Sequence, residues 1–305
     1  MRKIDILNLQ INNISQNESL QKVTELAKKR ESSYVCFTNA HMTVEANRDK
    51  YILNVVNNAT LVLPDGGPVA KAFKLIHGIK QERIAGMDFF PLMLKECNNH
   101  NLKVGLIGST DEVLDKIHLK IKKDLPNIEV THKISPPFKQ KWDNESYINS
   151  FNASNTNIVF VALGCPLQEK WMFEHYKKIN SVLLGVGGAF PVYAEHVSRA
   201  PKWMSNNSLE WLYRLIKEPK RMWKRYLFTN TVFLMFLIKT SHKFVEFSGT
   251  LMQLVQQMIT TKTQAYCNST FIIKKIVMVA ILNMVKLNSI FVKSLLILTS
   301  FFLDS

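Results

Sequence analysis

Asp65 stands in Pro64-Asp65-Gly66-Gly67-Pro68, directly after the apolar run Leu61–Leu63. A carboxylate on a loop beyond a buried strand faces the ligand crevice of an α/β sheet. There it can take the proton of a sugar hydroxyl as general base. The glycines beside it admit backbone angles that let a ligand approach closely. Asp-Gly also favours a turn in its own right, so the residues alone leave both readings open. A second group is Gly164-Cys165-Pro166-Leu167-Gln168-Glu169-Lys170-Trp171. Pro166 suits the opening of a helix, and Gln168 then projects from its first turn. An amide there can both donate and accept, which serves to read a nucleobase edge or a sugar hydroxyl. Glu169 complements the helix dipole, and Cys165 has no histidine partner that would make it a nucleophile.

Further polar residues punctuate the chain. Thr38-Asn39 ends an apolar run, and Asn39 either hydrogen-bonds a nucleotide or sugar or caps a helix starting near Met42; its spacing favours the cap. In Glu82-Arg83-Ile84-Ala85-Gly86-Met87-Asp88, Arg83 can pair with phosphate or hold a loop through a carboxylate. Asp88 reads as the cap of the next helix. Gly105 to Thr110 and Gly185 to Phe190 are glycine-bearing turns, and neither completes a dinucleotide fingerprint. Gly187 lies where backbone can come close to a ligand. Late in the chain come Arg199, Arg214, Arg221 and Arg225, with Lys217, Lys220 and Lys224. The spacings of 7 and 4 between Arg214, Arg221 and Arg225 suit one helical face, although Pro219 interrupts it. Guanidinium groups bind phosphate bidentately. The interleaved Trp211, Trp223 and Tyr226 suit a membrane interface, and a solvated basic face over an aromatic stripe explains the same pattern. No Asp-x-Asp pair or His/Asp cluster suits a divalent ion, so neither metal nor cofactor is expected.

These residues need elements to hold them. Strands are expected at Ile4–Leu9, Tyr34–Thr38, Thr60–Leu63, Lys103–Ile107, Ile128–Thr131, Ile158–Leu163 and Val182–Val186. Helices are expected at Ser19–Lys29, Met42–Asn57, Val69–Ile76, Asp88–Asn99, Glu112–Lys123, Glu145–Asn152 and Gln168–Lys178. This alternation predicts an α/β fold, a Rossmann-like and mostly parallel sheet with helices on both faces. The loops Asn39–His41, Pro64–Pro68 and Gly164–Gln168 would then ring one crevice at the strand ends. From Ser208 the apolar spacing becomes helical, and Pro219 opens a further helix running to about Lys239.

Three segments carry a resemblance. They are LVLPDGGPVAKA at Leu61–Ala72, FVALGCPLQEKW at Phe160–Trp171, and the stretch from Gly185 to Asn230 with its GVGGAF turn, Arg199-Ala200-Pro201 and basic aromatic helix. Together they resemble the bacterial WecG/TagA/CpsF glycosyltransferases, glycosyltransferase family 26, over roughly the first four fifths of the chain. The resemblance implies an inverting, metal-independent transfer of N-acetylmannosamine or a related sugar. The donor would be a UDP-sugar, and the acceptor an undecaprenyl-diphosphate-linked N-acetylglucosamine of surface polysaccharide or teichoic acid synthesis. It implies Asp65 as catalytic base. It places Thr38, Asn39, Arg83, Gln168 and Gly187 among the substrate-binding residues, and Arg214, Arg221 and Arg225 on a segment that closes over the site and meets a lipid-linked pyrophosphate. Two departures stand out. Phe37 occupies the place two before Asn39 where many members have threonine, and Ala194-Glu195 stands where the pattern has Ala-Gly.

Composition agrees with a membrane-directed enzyme. The formal charge is +15; residues 1–198 carry 24 Lys+Arg against 20 Asp+Glu, and residues 199–305 carry 15 against 4. Such a field attracts nucleic acid, anionic lipid or a phosphorylated ligand. The four cysteines, at 36, 97, 165 and 267, form no zinc spacing and read as reduced thiols. The first fifteen residues have no apolar core of a secretory signal, so the expected location is cytoplasmic, peripheral at the inner face of the plasma membrane. The expected organisation is a catalytic domain at 1–200, a basic aromatic helical appendage at 201–241, and an apolar tail at 242–305 whose Lys275, Lys286 and Lys293 share a helical face. That tail would meet an anionic membrane surface. Two other classes compete: a nucleic-acid-binding protein, which lacks any recognised motif and is not expected, and a nicotinamide-dependent oxidoreductase, which lacks the full glycine fingerprint. A homo-oligomer is left open.

Overall fold

The computed structural model describes residues 2–138, 140–201, 204 and 210–240, without the side chains at 211, 214, 219–227 and 238. The chain opens with an antiparallel hairpin, β1 (Lys3–Ile6) and β2 (Leu9–Asn12). The sequence pattern suggested one strand over Ile4–Leu9. Instead Leu7 and Asn8 take φ of 54° and 67°, and the Asn8 amide donates to Asp5 Oδ1 at 3.1 Å. Positive φ at both central residues is what a two-residue hairpin turn requires, and the turn halves the run while keeping Ile4, Ile6, Leu9 and Ile11 buried.

The main sheet is built from β3 (Ser33–Thr38), β4 (Leu61–Pro64), β5 (Val104–Gly108), β6 (Val130–Ile134), β7 (Ile158–Ala162) and β8 (Val182–Gly185). Its order is β4-β3-β8-β7-β5-β6, and every pairing is parallel. The inner strands are buried and apolar apart from Ser33 and Thr38 at the two ends of β3, as suits strands covered on both faces. The edge strand β6 is only half-buried and lies further along than the expected Ile128–Thr131.

One face carries α1 (Gln16–Lys28), α5 (Gly86–Asn99), α6 (Asp111–Asp124) and α9 (Ala189–Tyr193), whose apolar sides join a single core with Val35, Leu106, Phe160 and Leu184. The other face carries α2 (Ala40–Arg48), α3 (Lys50–Asn57), α4 (Gly67–His77), α7 (Asn144–Ala153) and α8 (Leu167–His175), packed on Tyr34, Val62, Val161 and Leu183. The expected helix Met42–Asn57 is two helices. Asp49 is extended (φ −123°, ψ 109°), and its side chain accepts from the Tyr51 amide at 2.8 Å. This N-cap outweighs the continuous apolar spacing and starts a new helix.

Neighbours β5 and β7 send the chain in opposite directions, to β6 and to β8, with α6 and α8 on opposite faces. Such a switch opens a crevice at the carboxyl ends of the strands. Beyond it come α10 (Glu210–Lys217) and α11 (Pro219–Thr240). Pro219 opens α11 as its fixed φ favours. Phe233 and Leu237 of α11 are buried in the core beneath α2, and the Arg48 guanidinium lies 4.1 Å from the centre of the Phe228 ring. No described helix is long and apolar enough to cross a membrane. The expected tail at 242–305 lies outside the described residues.

Candidate functional site

Asp65 sits where two strand ends meet. Its amide donates to the Thr38 carbonyl at 2.9 Å, which ties the end of β4 to the end of β3. Gly66 follows with φ 93° and heads α4. An L side chain at that angle would be strained, so glycine is required for the chain to turn from Asp65 into the helix. Asp65 is half-buried, and it is Gly66 beside it that lies against Asn39, where a Cβ at Gly66 would be 3.9 Å from Asn39 Cβ.

Asn39 caps α2: its Oδ1 accepts from the Met42 amide at 3.1 Å and its carbonyl accepts from the Thr43 amide at 2.9 Å. That is the role its spacing favoured. The amide Nδ2 is the part not used by the cap. Thr38 is fully buried, and its Oγ1 has no hydrogen-bond partner.

Gln168 and Glu169 form a buried pair under the ends of β7 and β8. Gln168 Nε2 donates to Glu169 Oε1 at 2.8 Å and to the Gly185 carbonyl at 3.0 Å. Its donors are thus spent inside the protein, and Gln168 offers a ligand only the acceptor Oε1, which is buried and unpartnered. A Cβ at Gly187 (φ 49°) would lie 3.2 Å from that oxygen, and one at Gly185 would lie 3.1 Å from Nε2. The glycines of this turn therefore make room for the Gln168 amide. Burial pushes the Glu169 carboxyl up to about 7, against the opposing effect of the Gln168 hydrogen bond. Its Oε2 is also without a partner. Sequence reasoning missed this carboxyl; its place beside Gln168 in the first turn of α8 was the available signal, and it was read as a dipole effect.

The segment from Arg83 to Asp88 crosses the same edge. The Ile84 amide donates to the Pro64 carbonyl at 2.9 Å, and Gly86 packs against Phe37 and the Val186 carbonyl. Arg83 Nη2 donates to Asp88 Oδ2 at 2.7 Å and Nη1 to Glu210 Oε2 at 3.0 Å. Arg199 also donates to Asp88, through Oδ1, and lies 3.8 Å from Glu210 Oε1. Asp88 was read as a helix cap; the cap position belongs to Ala85, and Asp88, in the first turn, bridges two arginines. Beside this quartet lies a cavity of about 320 Å³ between α9 and α10, lined in part by Ser198, Arg199, Glu210, Tyr213 and Lys217. Glu210 is one of four acids among residues 199–305, and an acid in so basic a stretch was the sequence signal for it.

Arg214 lies on α10, while Arg221 and Arg225 lie on α11. The break before Pro219 puts them on separate helices, so the single helical face suggested by the spacing holds Arg221 and Arg225 alone. The three side chains are outside those described. Glu195, standing where the resembled pattern has glycine, keeps φ 57°. Cys36 and Cys97 are buried, and burial raises both thiols above their ordinary range, as packed structural thiols require. Among the described residues no three His, Cys, Asp or Glu side chains are grouped as a metal site would need.

Comparison with known proteins gives the family. A family model described as "Glycosyl transferase WecG/TagA/CpsF family" matches residues 4–245. The N-acetylglucosaminyldiphosphoundecaprenol N-acetyl-beta-D-mannosaminyltransferase of Bacillus subtilis strain 168 is 35% identical over 191 residues, 62% of this chain and 73% of that protein. The protein of the same name from Bacillus spizizenii is 32% identical over 67% of this chain and 78% of its own. A third, from Staphylococcus aureus strain MW2, is 26% identical over 72% of this chain and 87% of its own.

Proposed function

Because the chain belongs to the WecG/TagA/CpsF glycosyltransferase family, we propose that it transfers N-acetylmannosamine, or a close relative, from a UDP-sugar to N-acetylglucosamine carried on undecaprenyl diphosphate. The names of the similar proteins support the transferred sugar and the acceptor. Glycosyltransferase membership sets aside the nucleic-acid and nicotinamide readings.

The observation that carries the mechanism is the position of Asp65, tied through its amide to the end of β3 and one residue from the carbonyl that holds Ile84. In the proposed reaction Asp65 takes the proton of the acceptor hydroxyl. The oxygen attacks the anomeric carbon from the face opposite the leaving diphosphate, and the configuration inverts. Asn39, Gln168 and Gly187 stand on the donor side at the ends of β3, β7 and β8, and the fully buried Thr38 contributes through its carbonyl, which holds the Asp65 amide. Guanidinium groups, Arg83 in the core and Arg214, Arg221 and Arg225 on the appendage, neutralise the departing diphosphate in place of a metal ion. The basic appendage, and residues 242–305 with their lysines, keep the enzyme peripheral at the inner membrane face.

The test is UDP release from a panel of UDP-sugars with a soluble diphospho-N-acetylglucosamine lipid analogue, run without added metal. Acceptor-dependent release from the N-acetylmannosamine donor is expected. Asp65→Asn is expected to lower kcat by about 10²-fold or more, the usual worth of a general base, with little change in donor KM. Release independent of acceptor, or Asp65→Asn activity equal to wild type, would overturn the assignment of the base.

A further inference from the structure

We propose that Arg83 and Arg199 form a binding pair for a diphosphate group, and that Glu210 of α10 holds its place until the diphosphate arrives. The inference rests on the reading of a sugar-diphosphate substrate and adds to it a second arginine and a competing carboxylate.

The quartet has an asymmetry that separates its two acids. Asp88 belongs to the core: it lies in the first turn of α5, and its amide donates to Ala85 at 2.9 Å. Arg83 is anchored one residue away by the Ile84–Pro64 hydrogen bond. Glu210 comes from the appendage helix, 127 residues further along the chain. Asp88 touches both guanidiniums, through Oδ2 and Oδ1. Glu210 faces the same two, at 3.0 Å from Arg83 and 3.8 Å from Arg199. Asp88 offsets one of two positive charges. Without Glu210 the pair carries a net positive charge and presents two planar forks, the arrangement that takes phosphate oxygens.

Exchange is energetically accessible. Arg83 and Glu210 are each about a fifth exposed and Arg199 more so, so breaking the pair is tolerable only because the incoming phosphate oxygens take the place of the carboxylate and leave neither guanidinium bare. A diphosphate brings more charge and more acceptor oxygens than one carboxylate. There is room for it in the adjoining cavity of about 320 Å³, where Arg199 and Lys217 add donors and Ser198 and Tyr213, bonded to each other at 2.9 Å, leave one hydroxyl proton to offer. The same network joins the core to Glu210 in the first turn of α10, so a diphosphate that displaces Glu210 loosens that turn, which the Ser198–Tyr213 hydrogen bond still tethers. Binding at the arginines and movement of the appendage become one event.

The first arm of the test is calorimetric titration of inorganic pyrophosphate into the full chain. Glu210→Gln keeps the shape and an acceptor oxygen but removes the charge, and is expected to tighten binding by about tenfold, the scale of a charge-assisted contact. Arg199→Gln added to Glu210→Gln is expected to abolish that gain. A second arm needs no variant: amide exchange within residues 210–217 of the wild type should speed up when pyrophosphate is added. Repeating the titration with UDP and with the diphospho-N-acetylglucosamine analogue tells whether donor or acceptor diphosphate uses the pair, as the one whose affinity responds to Glu210→Gln. Equal or weaker pyrophosphate binding by Glu210→Gln, or unchanged exchange in 210–217, would overturn the proposal. Because these arms read binding, they can succeed where no sugar transfer is seen and fail where transfer is normal.

Discussion

Gln168 and Glu169 show how much at this edge depends on single atoms. The Gly185 carbonyl fixes the amide nitrogen of Gln168 whichever protonation state Glu169 adopts. Removed from water and with one oxygen unpartnered, Glu169 favours its neutral form. In the unfolded chain a glutamate loses its proton near 4.3, and in the folded protein near 7. Between those values the folded state holds the extra proton. Stability from this group is therefore full below about pH 4 and declines as pH rises to about 7, by on the order of 3 kcal/mol. Glu169→Gln should flatten that decline. Urea midpoints measured between pH 5 and 8 will check it, and an identical slope in the variant would refute the buried neutral acid. The residues alone could not disclose this. Glu169 looks like any acid in the first turn of a helix, and its burial is created by strands that lie elsewhere in the chain.

At the scale of elements, the site is a set of strand ends held in register by a few backbone bonds. The turn after β4 is the most sensitive of them, because Gly66 alone converts the strand into α4 at a φ of 93°. Gly66→Ala is expected to cost about 1–3 kcal/mol, the strain of an L residue held extended at positive φ, where glycine is almost alone. It should also lower kcat more than the loss of folded protein explains, because Asp65 moves with the turn. Thermal unfolding and UDP release on the same preparation separate the two effects; normal kcat per folded molecule would show that Asp65 does not depend on this geometry. Periodicity identified nearly all of these elements. It failed where a local side-chain bond overrode the apolar pattern: at Asn8, which turned a strand into a hairpin, and at Asp49, which divided a helix.

Across the whole molecule the charge is segregated. A net of +11 resides in residues 199–305 and only +4 in the preceding 198. That asymmetry supports the proposal that the C-terminal third seeks an anionic surface. Truncation after residue 241 is expected to weaken binding to vesicles containing anionic lipid several-fold at low salt, and the difference should shrink at high salt as screening grows. Equal sedimentation of the truncated and full-length proteins with such vesicles would exclude a membrane role for residues 242–305.

The order of strands and helices and the segregation of charge follow from sequence alone, because apolar period and composition are local properties. Asp65, Asn39 and Gln168 became candidates through the motifs of the resemblance, since turn and cap chemistry by themselves explain the same residues. Tertiary structure decided the rest. It brought Thr38 to Asp65, spent the Gln168 donors on Glu169 and Gly185, and closed Arg83 and Arg199 on Asp88 and Glu210. Those are contacts between groups up to 127 residues apart. Whether a charged side chain is available to a ligand or already satisfied depends on which distant partner the fold delivers to it, and no local pattern encodes that.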